Sequence, residues 1–277
     1  MMKFEHGDQI TRFIGRMGYT GHRTQTFHEV LISVLTSILA NPWYDQQLAK
    51  RAEDRHIIMQ WIGAWCDESQ RAVPANHEPG RRYEFKRTGQ AQELLALAYD
   101  VYCLVEVDRL DRGVRDRLKT DDQFQGARYE LAVASIFIRS GSTSNGLISE
   151  KDRGLYLKAI EKDPKDKPFA IFIDANLPHQ PEHEHLEKTW IPEIFQMVTD
   201  HLTLLAPMPA PFSALFITNY AWHYEGRNIP SAGEHCFIYP KRTAHPWKEQ
   251  ATFDAIGEGM LRYGVVPDYE DTAFSLH

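Results

Sequence analysis

Two triplets of the chain place an acid two residues before a lysine, EFK at 84–86 and DPK at 163–165. A carboxylate can help to hold a hydrated Mg²⁺ ion, and a neighbouring lysine can stabilise negative charge that develops on a reacting phosphate. Chance alone gives about one or two such triplets in a chain of this composition. The second triplet fits a turn. Glu84 and Lys86 lie in RRYEFKR, which fits either an extended active segment, with Asp67 as a further acid, or a basic surface strand or the start of a helix.

Glu130 is a further candidate metal ligand. It lies in an amphipathic helix expected over residues 123–140, whose apolar residues recur three and four positions apart. Because those residues must face a core, Glu130 lies toward a flank of the helix. There it serves either as a metal ligand or as an ordinary charged residue paired with Arg128 or with solvent.

Asp174 and Asn176 end the apolar segment FAIFIDAN, which predicts a buried strand. Ligands tend to bind at the carboxyl ends of strands in α/β sheets, so these two side chains are candidate site residues. A structural role in capping the turn that follows is the alternative.

The segment HQPEHEH at 179–185 holds the densest cluster of potential metal ligands. Imidazoles at such spacings can bind zinc or nickel. A proline interrupts the segment, so the imidazoles do not share one face, and a solvated loop is the favoured interpretation.

The first 120 residues predict a helical region. Helices are expected over residues 26–39, 44–66 and 88–119, the last with a break at Gly113. Residues 121–277 predict helices alternating with short buried strands. Together they indicate an α/β fold with some parallel pairing. In this second region helices are expected at 123–140, 149–162, 190–205 and 247–262, and strands within FAIFIDA, SALFITNY and HCFIYP.

This order of elements resembles the second half of restriction-endonuclease-like proteins of the PD-(D/E)XK superfamily, whose core runs helix, three-stranded meander, helix, strand. FQGARYELAVASIFIRSG looks like the first core helix, from which a Glu projects toward the metal site. KPFAIFIDANLP looks like the strand after the second core helix. The resemblance covers roughly residues 124–220. It implies a partial restriction-endonuclease-like core within residues 121–277 and a metal-dependent DNA endonuclease, with Mg²⁺ held by Glu130 together with further carboxylates that the sequence does not identify.

Six small polar residues, GSTSNG at 141–146, stand between the two core helices, where the family carries its meander with the catalytic Asp and (D/E)-x-K pair. One strand alone commonly takes about five residues, so this segment cannot form three. We therefore expect the chain to be inactive as a nuclease, and a non-catalytic nucleic-acid- or protein-binding module is the alternative. Apolar residues that a meander would cover, Leu131, Ile138 and Leu155, should be exposed and favour self-association.

The composition is ordinary for a globular chain of 277 residues, with 43% hydrophobic and 25% charged residues. A net charge of −7 gives no overall attraction to nucleic acid, so a DNA partner would need a local basic face. The longest apolar stretch, residues 30–40, is too short and polar to span a bilayer, and the first ten residues lack an apolar signal core. We expect a cytoplasmic protein with no membrane partner, in which Cys66, Cys103 and Cys236 are reduced, buried thiols.

Overall fold

A computed structural model describes residues 2–76, 83–141, 167–178, 190–226, 233–247 and 250–268, and in these ranges the chain forms eight α-helices and two three-stranded sheets. The mixed α/β class expected from the sequence is therefore confirmed, whereas the restriction-endonuclease-like core and the division at residue 120 stay predictions. The helices are α1 (Phe27–Leu39), α2 (Asn41–Leu48), α3 (Ile57–Ala72), α4 (Gly89–Glu106), α5 (Arg112–Arg117), α6 (Phe124–Arg139), α7 (Trp190–Leu205) and α8 (Gln250–Leu261).

The two sheets differ in pairing. The first is an antiparallel meander of three consecutive strands, and in the second a central strand pairs in parallel with one neighbour and antiparallel with the other. The parallel pair confirms the expectation for the second half of the chain. The strands are β1 (Met2–His6), β2 (Gln9–Ile14) and β3 (Met17–His22) in the first sheet, and β4 (Ala170–Asp174), β5 (Ala214–Asn219) and β6 (Glu234–Ile238) in the second, with β5 central.

The amino-terminal meander shows that the helical prediction for residues 1–120 is wrong over the first 22 residues. Alternate side chains of β2, those of Ile10, Arg12 and Ile14, are buried, which is the period of a strand. Two-residue turns join the strands, and each begins with a glycine at positive φ, Gly7 (59°) and Gly15 (56°). Glycine adopts that conformation without the penalty of a Cβ, so the turns follow directly from the sequence.

The two long helices expected near residues 44–66 and 88–119 are each broken. The first is divided between α2 and α3, and α3 starts where the Nδ1 atom of His56 accepts a hydrogen bond from the backbone two residues later. The second breaks after α4, where Asp108 has a φ of 56°. The predicted break at Gly113 is therefore wrong, because that glycine lies inside α5.

Helix α4 lies at the centre of the larger core and is buried on all sides. An α-helix that is apolar all round must be covered on every face, and α1, α3 and α6 pack against it. Helix α6 also covers the second sheet, where Phe137 packs edge-on against Phe172 of β4 at 5.6 Å between ring centroids. Helix α6 and strand β4 therefore lie next to each other in the core.

The second sheet is covered on both faces. Helices α6 and α8 lie on the face that presents Phe172 and Phe216, and α7 packs its apolar residues Ile191 and Val198 on the opposite face. Two covered faces explain why β5 is buried at every residue.

The expected exposed patch on α6 is absent. Leu131 is 1% exposed and lies in the larger core, and Ile138 is partly buried against the same core. The expectation of uncovered apolar faces is therefore wrong for these two residues. Leu155, the GSTSNG connector after Gly141, helix 149–162, the DPK triplet and the histidine segment 179–185 lie outside the described residues.

The described part of the chain has no helix that is both long and apolar enough to cross a bilayer. Its three cysteines are free thiols. Cys103 and Cys236 are buried as expected, whereas Cys66 is exposed.

Gly89 begins α4 in close contact with the turn at residues 222–226. Its N–H donates to the carbonyl of Glu225 at 3.1 Å, and a methyl group on its Cα would overlap the carbonyl oxygen of Trp222. We expect Gly89→Ala to lower the free energy of unfolding by about 2–3 kcal/mol, because the turn must move.

Gly63→Ala on the exposed side of α3 is the matched control, since a methyl group there meets no atom within 4 Å. It should raise the free energy of unfolding by about 0.5–1 kcal/mol through helix propensity. Urea denaturation of both variants measures the difference, and equal stabilities would contradict the packing of the turn on α4.

Candidate functional site

Glu130 contacts α5. The Nη2 atom of Arg117 donates to Glu130 Oε2 at 2.6 Å, and the Glu130 side chain is 22% exposed. This geometry supports the interpretation of Glu130 as a charged flank residue, although its partner is Arg117 and not Arg128. A role in metal binding stays a prediction from the resemblance.

Glu84 and Lys86 are exposed in an irregular segment, residues 83–88, that leads into α4. Phe85 between them packs against Trp65 at 5.1 Å. The segment then ends at Thr88, whose hydroxyl caps the helix. Of the interpretations open for RRYEFKR, the described residues fit the start of a helix.

Asp174 and Asn176 do come together at the carboxyl end of β4. The Nε2 atom of Gln125 on α6 donates to Asp174 Oδ2 and to Asn176 Oδ1, both at 3.1 Å. Asp174 Oδ1 also accepts from the backbone N–H of Tyr220 at 3.4 Å. These hydrogen bonds fix the ends of β4 and β5 and give Asp174 a structural role, although a different one from the predicted capping of the turn that follows.

Arg128 lies beside Asp174 and joins three elements of the fold. Its Nε and Nη2 atoms donate to both carboxylate oxygens of Glu93 on α4, at 2.8 to 3.1 Å. Nη2 also donates to the carbonyl of Tyr220, directly after β5, and Nη1 lies 3.7 Å from Asp174 Oδ2. Exposure of the Glu93 and Arg128 side chains is 0% and 2%, so this is a bidentate ion pair excluded from water.

His223 approaches Glu93 from the turn after β5. Its Nδ1 atom lies 3.1 Å from Glu93 Oε1, and its backbone N–H donates to the same oxygen at 3.4 Å. A carboxylate can only accept, so Nδ1 carries a proton in this contact. Glu93 is thus hydrogen-bonded to Arg128 and to His223 at once. We call Glu93, Arg128, Asp174 and His223 the arginine cluster.

Burial and charge act in opposite directions within the arginine cluster. Burial lowers the pKa of Arg128, but Glu93 and other neighbouring groups raise it by more, so the guanidinium stays protonated. Burial raises the pKa of Asp174, and the positive charge of Arg128 offsets only part of that increase. The positive charge of Arg128 and the negative charges of the neighbouring acids therefore offset the cost of burying one another.

A second polar layer follows one heptad further along the same two helices. The Ser135 hydroxyl donates to Asp100 Oδ1, and the Tyr263 hydroxyl donates to Asp100 Oδ2 at 2.6 Å. Glu93 and Asp100 are seven residues apart on α4, and so are Arg128 and Ser135 on α6. Because both pairs advance in the same direction, the two helices run parallel, with these layers about 10 Å apart.

Sequence reasoning placed Arg128 beside Glu130 and did not single out Glu93 or Asp100. The available signal was their position, because Glu93 begins and Asp100 interrupts the otherwise apolar run ELLALAYDVYCLV at 93–105. A helix that is apolar all round is buried, and a buried acid requires a partner. The partners, Arg128 and Ser135, lie 35 residues further along the chain and carry no local mark.

Glu130 and Asp174 are not arranged as an open site for Mg²⁺. The ion takes several oxygen ligands and keeps open positions for water and substrate, whereas Glu130 is paired with Arg117 and Asp174 is buried against Arg128. Within the described ranges, no group of three or more His, Cys, Asp or Glu side chains is arranged to hold a metal ion. Mg²⁺ binding stays an expectation from the resemblance.

Comparison of the chain with protein-family models, with curated proteins and with solved structures found no match. The resemblance to PD-(D/E)XK proteins therefore rests on the quoted segments alone.

Replacing Arg128 by methionine should strongly destabilise the fold. The change removes the cation but leaves Glu93 and Asp174 buried, and breaking such a pair from one side costs about 3–5 kcal/mol. Arg117→Met is the matched control, because it removes the cation of the more exposed pair with Glu130. It should lower the free energy of unfolding by less than about 1 kcal/mol. Urea denaturation measures both.

The double variant Glu93→Gln, Arg128→Met keeps this test informative if the single variant does not fold. It should be more stable than Arg128→Met alone, because one uncompensated carboxylate has been removed. Equal costs for Arg128→Met and Arg117→Met would show that the ion pair is not buried as described.

Asp100 should make stability depend on pH. Burial raises the pKa of Asp100 from 3.8 to about 6, although Arg139, Ser135 and Tyr263 each lower it. Between about pH 4 and pH 6 the folded protein therefore binds more protons at this group than the unfolded chain, so its stabilising contribution is lost as pH rises through about 6.

The stability advantage of the natural protein over Asp100→Asn should consequently fall as pH is raised from about 4 to about 7, and then level off. Urea denaturation across this range measures it. Ser135→Ala, which keeps the carboxyl group, should retain the pH dependence. A constant difference between the natural protein and Asp100→Asn would contradict the raised pKa.

Proposed function

We propose that this protein is a non-catalytic protein-binding module on an α/β scaffold related to that of metal-dependent nucleases. The observation that supports this most directly is the position of Arg128 at the carboxyl end of β4. The guanidinium supplies there the positive charge that a metal ion would otherwise supply to the acids.

The arginine cluster is closed where a catalytic centre must be open. Metal-assisted hydrolysis of a phosphodiester needs positions for an attacking water and for the phosphate. The Asp174 side chain is 7% exposed, and its oxygens accept from Gln125 and from the Tyr220 backbone. Glu93 is fully buried, so neither acid offers a ligand position to a substrate.

The charge of the chain favours a protein partner over DNA. At a net charge of −7 the whole molecule repels a phosphate backbone, and phosphate contacts supply most non-specific affinity for DNA. Nuclease activity, Mg²⁺ dependence and DNA binding remain what the resemblance implies.

Supercoiled plasmid and linear DNA should stay intact when incubated with the purified protein in Mg²⁺ or Mn²⁺. The physical reason is that Glu93 and Asp174 are buried against Arg128 and Glu130 is paired with Arg117, so none of these three acids offers an open metal position. Agarose gels of nicked and linear products measure the outcome. Cleavage that disappears in Glu84→Gln, Lys86→Ala or Glu130→Gln would contradict the proposal and assign the reaction to those residues.

A further inference from the structure

One end of the second sheet brings three segments of the chain together. Strands β4 and β5 run parallel and β6 runs antiparallel to β5, so the amino ends of β4 and β5 lie beside the carboxyl end of β6. This end is opposite to the arginine cluster. The backbone N–H of Ser213 donates to the carbonyl of Phe169 at 2.7 Å, and its hydroxyl donates to the carbonyl of His245 at 2.5 Å. The backbone N–H of Ala210 donates to the carbonyl of Arg242 at 2.9 Å, so the segments before β4, before β5 and after β6 form one surface.

This surface carries three bases, Lys167 before β4 and Lys241 and Arg242 after β6, and all three are exposed. Within the described part of the chain, none of their side chains is hydrogen-bonded or paired with an acid. Asp200 lies one turn before Leu204 on α7, where it accepts a hydrogen bond from a neutral glutamine of the same helix. The bases outnumber this acid, so the local charge is positive although the whole chain carries −7.

Apolar side chains project beside these bases. Leu204 in the last turn of α7 is 83% exposed and Met208 is 64% exposed, which are the two highest values for large apolar residues in the described ranges. Met208 lies two residues before Ala210, the residue that binds the backbone of the basic segment. Pro207 and Pro209 restrict the backbone on either side of Met208, so little chain entropy is lost when this segment is held by a partner.

We propose that this surface binds an acidic segment of a partner protein. Aspartate or glutamate side chains of the partner pair with the bases, and its apolar side chains cover the two exposed aliphatic residues. We call Lys167, Leu204, Met208, Lys241 and Arg242 the basic patch. This inference rests on the proposed function, since it names the surface and the class of partner for a binding module.

Charge complementarity selects this occupant. Unpaired bases attract carboxylates, and burial of aliphatic side chains against an apolar partner is favourable in itself. A peptide contacts the basic patch alone, whereas a nucleic acid or an anionic lipid surface extends further and would also meet the acidic remainder of the chain. Aliphatic side chains, moreover, do not provide the aromatic faces on which nucleic-acid bases stack.

A second copy of the chain fits the basic patch less well. A two-fold interface places the same surface of both subunits together, so Lys241 and Arg242 of one copy would approach those of the other. Like charges brought together in this way oppose association.

The first test is a phage-displayed library of random peptides panned on the immobilised full chain. We expect enrichment of peptides in which two or more acids stand close to an aliphatic or aromatic residue. Fluorescence polarisation with a labelled enriched peptide then compares the natural protein with the double variant Lys241→Glu, Arg242→Glu, which should weaken binding by about tenfold or more.

Arg16→Glu, Arg23→Glu is the matched control, because it makes the same change in net charge on the amino-terminal sheet, at side chains that are 84% and 63% exposed. Screening limits its effect at the basic patch, so it should weaken binding by less than about twofold. The same peptide with its acids replaced by lysine should bind Lys241→Glu, Arg242→Glu better than it binds the natural protein.

The apolar contact is tested separately. The double variant Leu204→Ser, Met208→Ser leaves the charge unchanged and alters only exposed side chains, so it should fold normally and weaken binding of the peptide by about tenfold. Leu48→Ser, at a 46% exposed position on α2, should leave binding unchanged.

The outcomes separate this inference from the proposed function. The absence of any enriched peptide overturns the inference, and so do enriched peptides whose binding is unchanged in both double variants of the basic patch, although in that case the binding module stands. Binding of phosphatidylserine vesicles or of a single-stranded oligonucleotide that is lost in Lys241→Glu, Arg242→Glu overturns the choice of partner, as does a dimer in sedimentation that this variant dissociates. Metal-dependent DNA cleavage lost in Glu130→Gln overturns the proposed function itself, whatever the basic patch binds.

Discussion

The buried ion pair between Glu93 and Arg128 is the constraint on which the arrangement of the two halves depends. Moving a carboxylate and a guanidinium out of water costs several kcal/mol for each ion, and their mutual attraction compensates only when the geometry is good and the remaining donors and acceptors are satisfied. Here the contact is bidentate, His223 donates to the same carboxylate, and the Tyr220 carbonyl accepts from the guanidinium. The Nη1 atom of Arg128 makes no hydrogen bond among the described residues and is compensated only by the charge of Asp174, 3.7 Å away. A planar guanidinium directs its donors along fixed lines. It therefore fixes α4, α6 and the end of β5 relative to one another.

The two polar layers between α4 and α6 explain how these otherwise apolar helices are aligned along each other in a single register. Apolar side chains pack in several ways at similar cost, whereas a buried charge has few acceptable partners. The Glu93–Arg128 and Asp100–Ser135 layers repeat after seven residues on both helices, so a shift of either helix would unpair both. Tyr263, which also donates to Asp100, brings the segment after α8 into the same arrangement. The arginine cluster thus has a structural role, since it joins α4, α6 and the ends of β4 and β5.

The elements that could be predicted from the sequence are those whose signal is local. Apolar periodicity located α1 and α6, and short apolar β-branched runs located β4, β5 and β6. Asp174 and Asn176 lie together at the end of β4, where Gln125 donates to both, and their role as site residues stays a prediction. The meander of β1–β3 was missed because its strands are short and largely polar, so the alternation in β2 and the turns at Gly7 and Gly15 were the only marks.

The arginine cluster could not be read from the sequence, because ion pairing is decided by tertiary contacts. Arg128 has Glu130 two residues away, yet residues two apart on a helix point in different directions and do not face each other. Its partner Glu93 lies 35 residues earlier, and Glu130 turns instead to Arg117 on α5. An acid inside an apolar helix signals that a partner exists without saying which one.

The two glycines of α8 show how this helix combines a structural side with an open side. Gly259 faces α6, where a Cβ would lie 3.1 Å from the Ile136 side chain, so close helix packing accounts for the missing side chain. Gly257 has no such neighbour among the described residues, since a Cβ there would meet only the Phe237 ring at 3.9 Å. Helix propensity favours almost any other residue at that position. Packing within the described chain therefore gives a reason for the first glycine and none for the second.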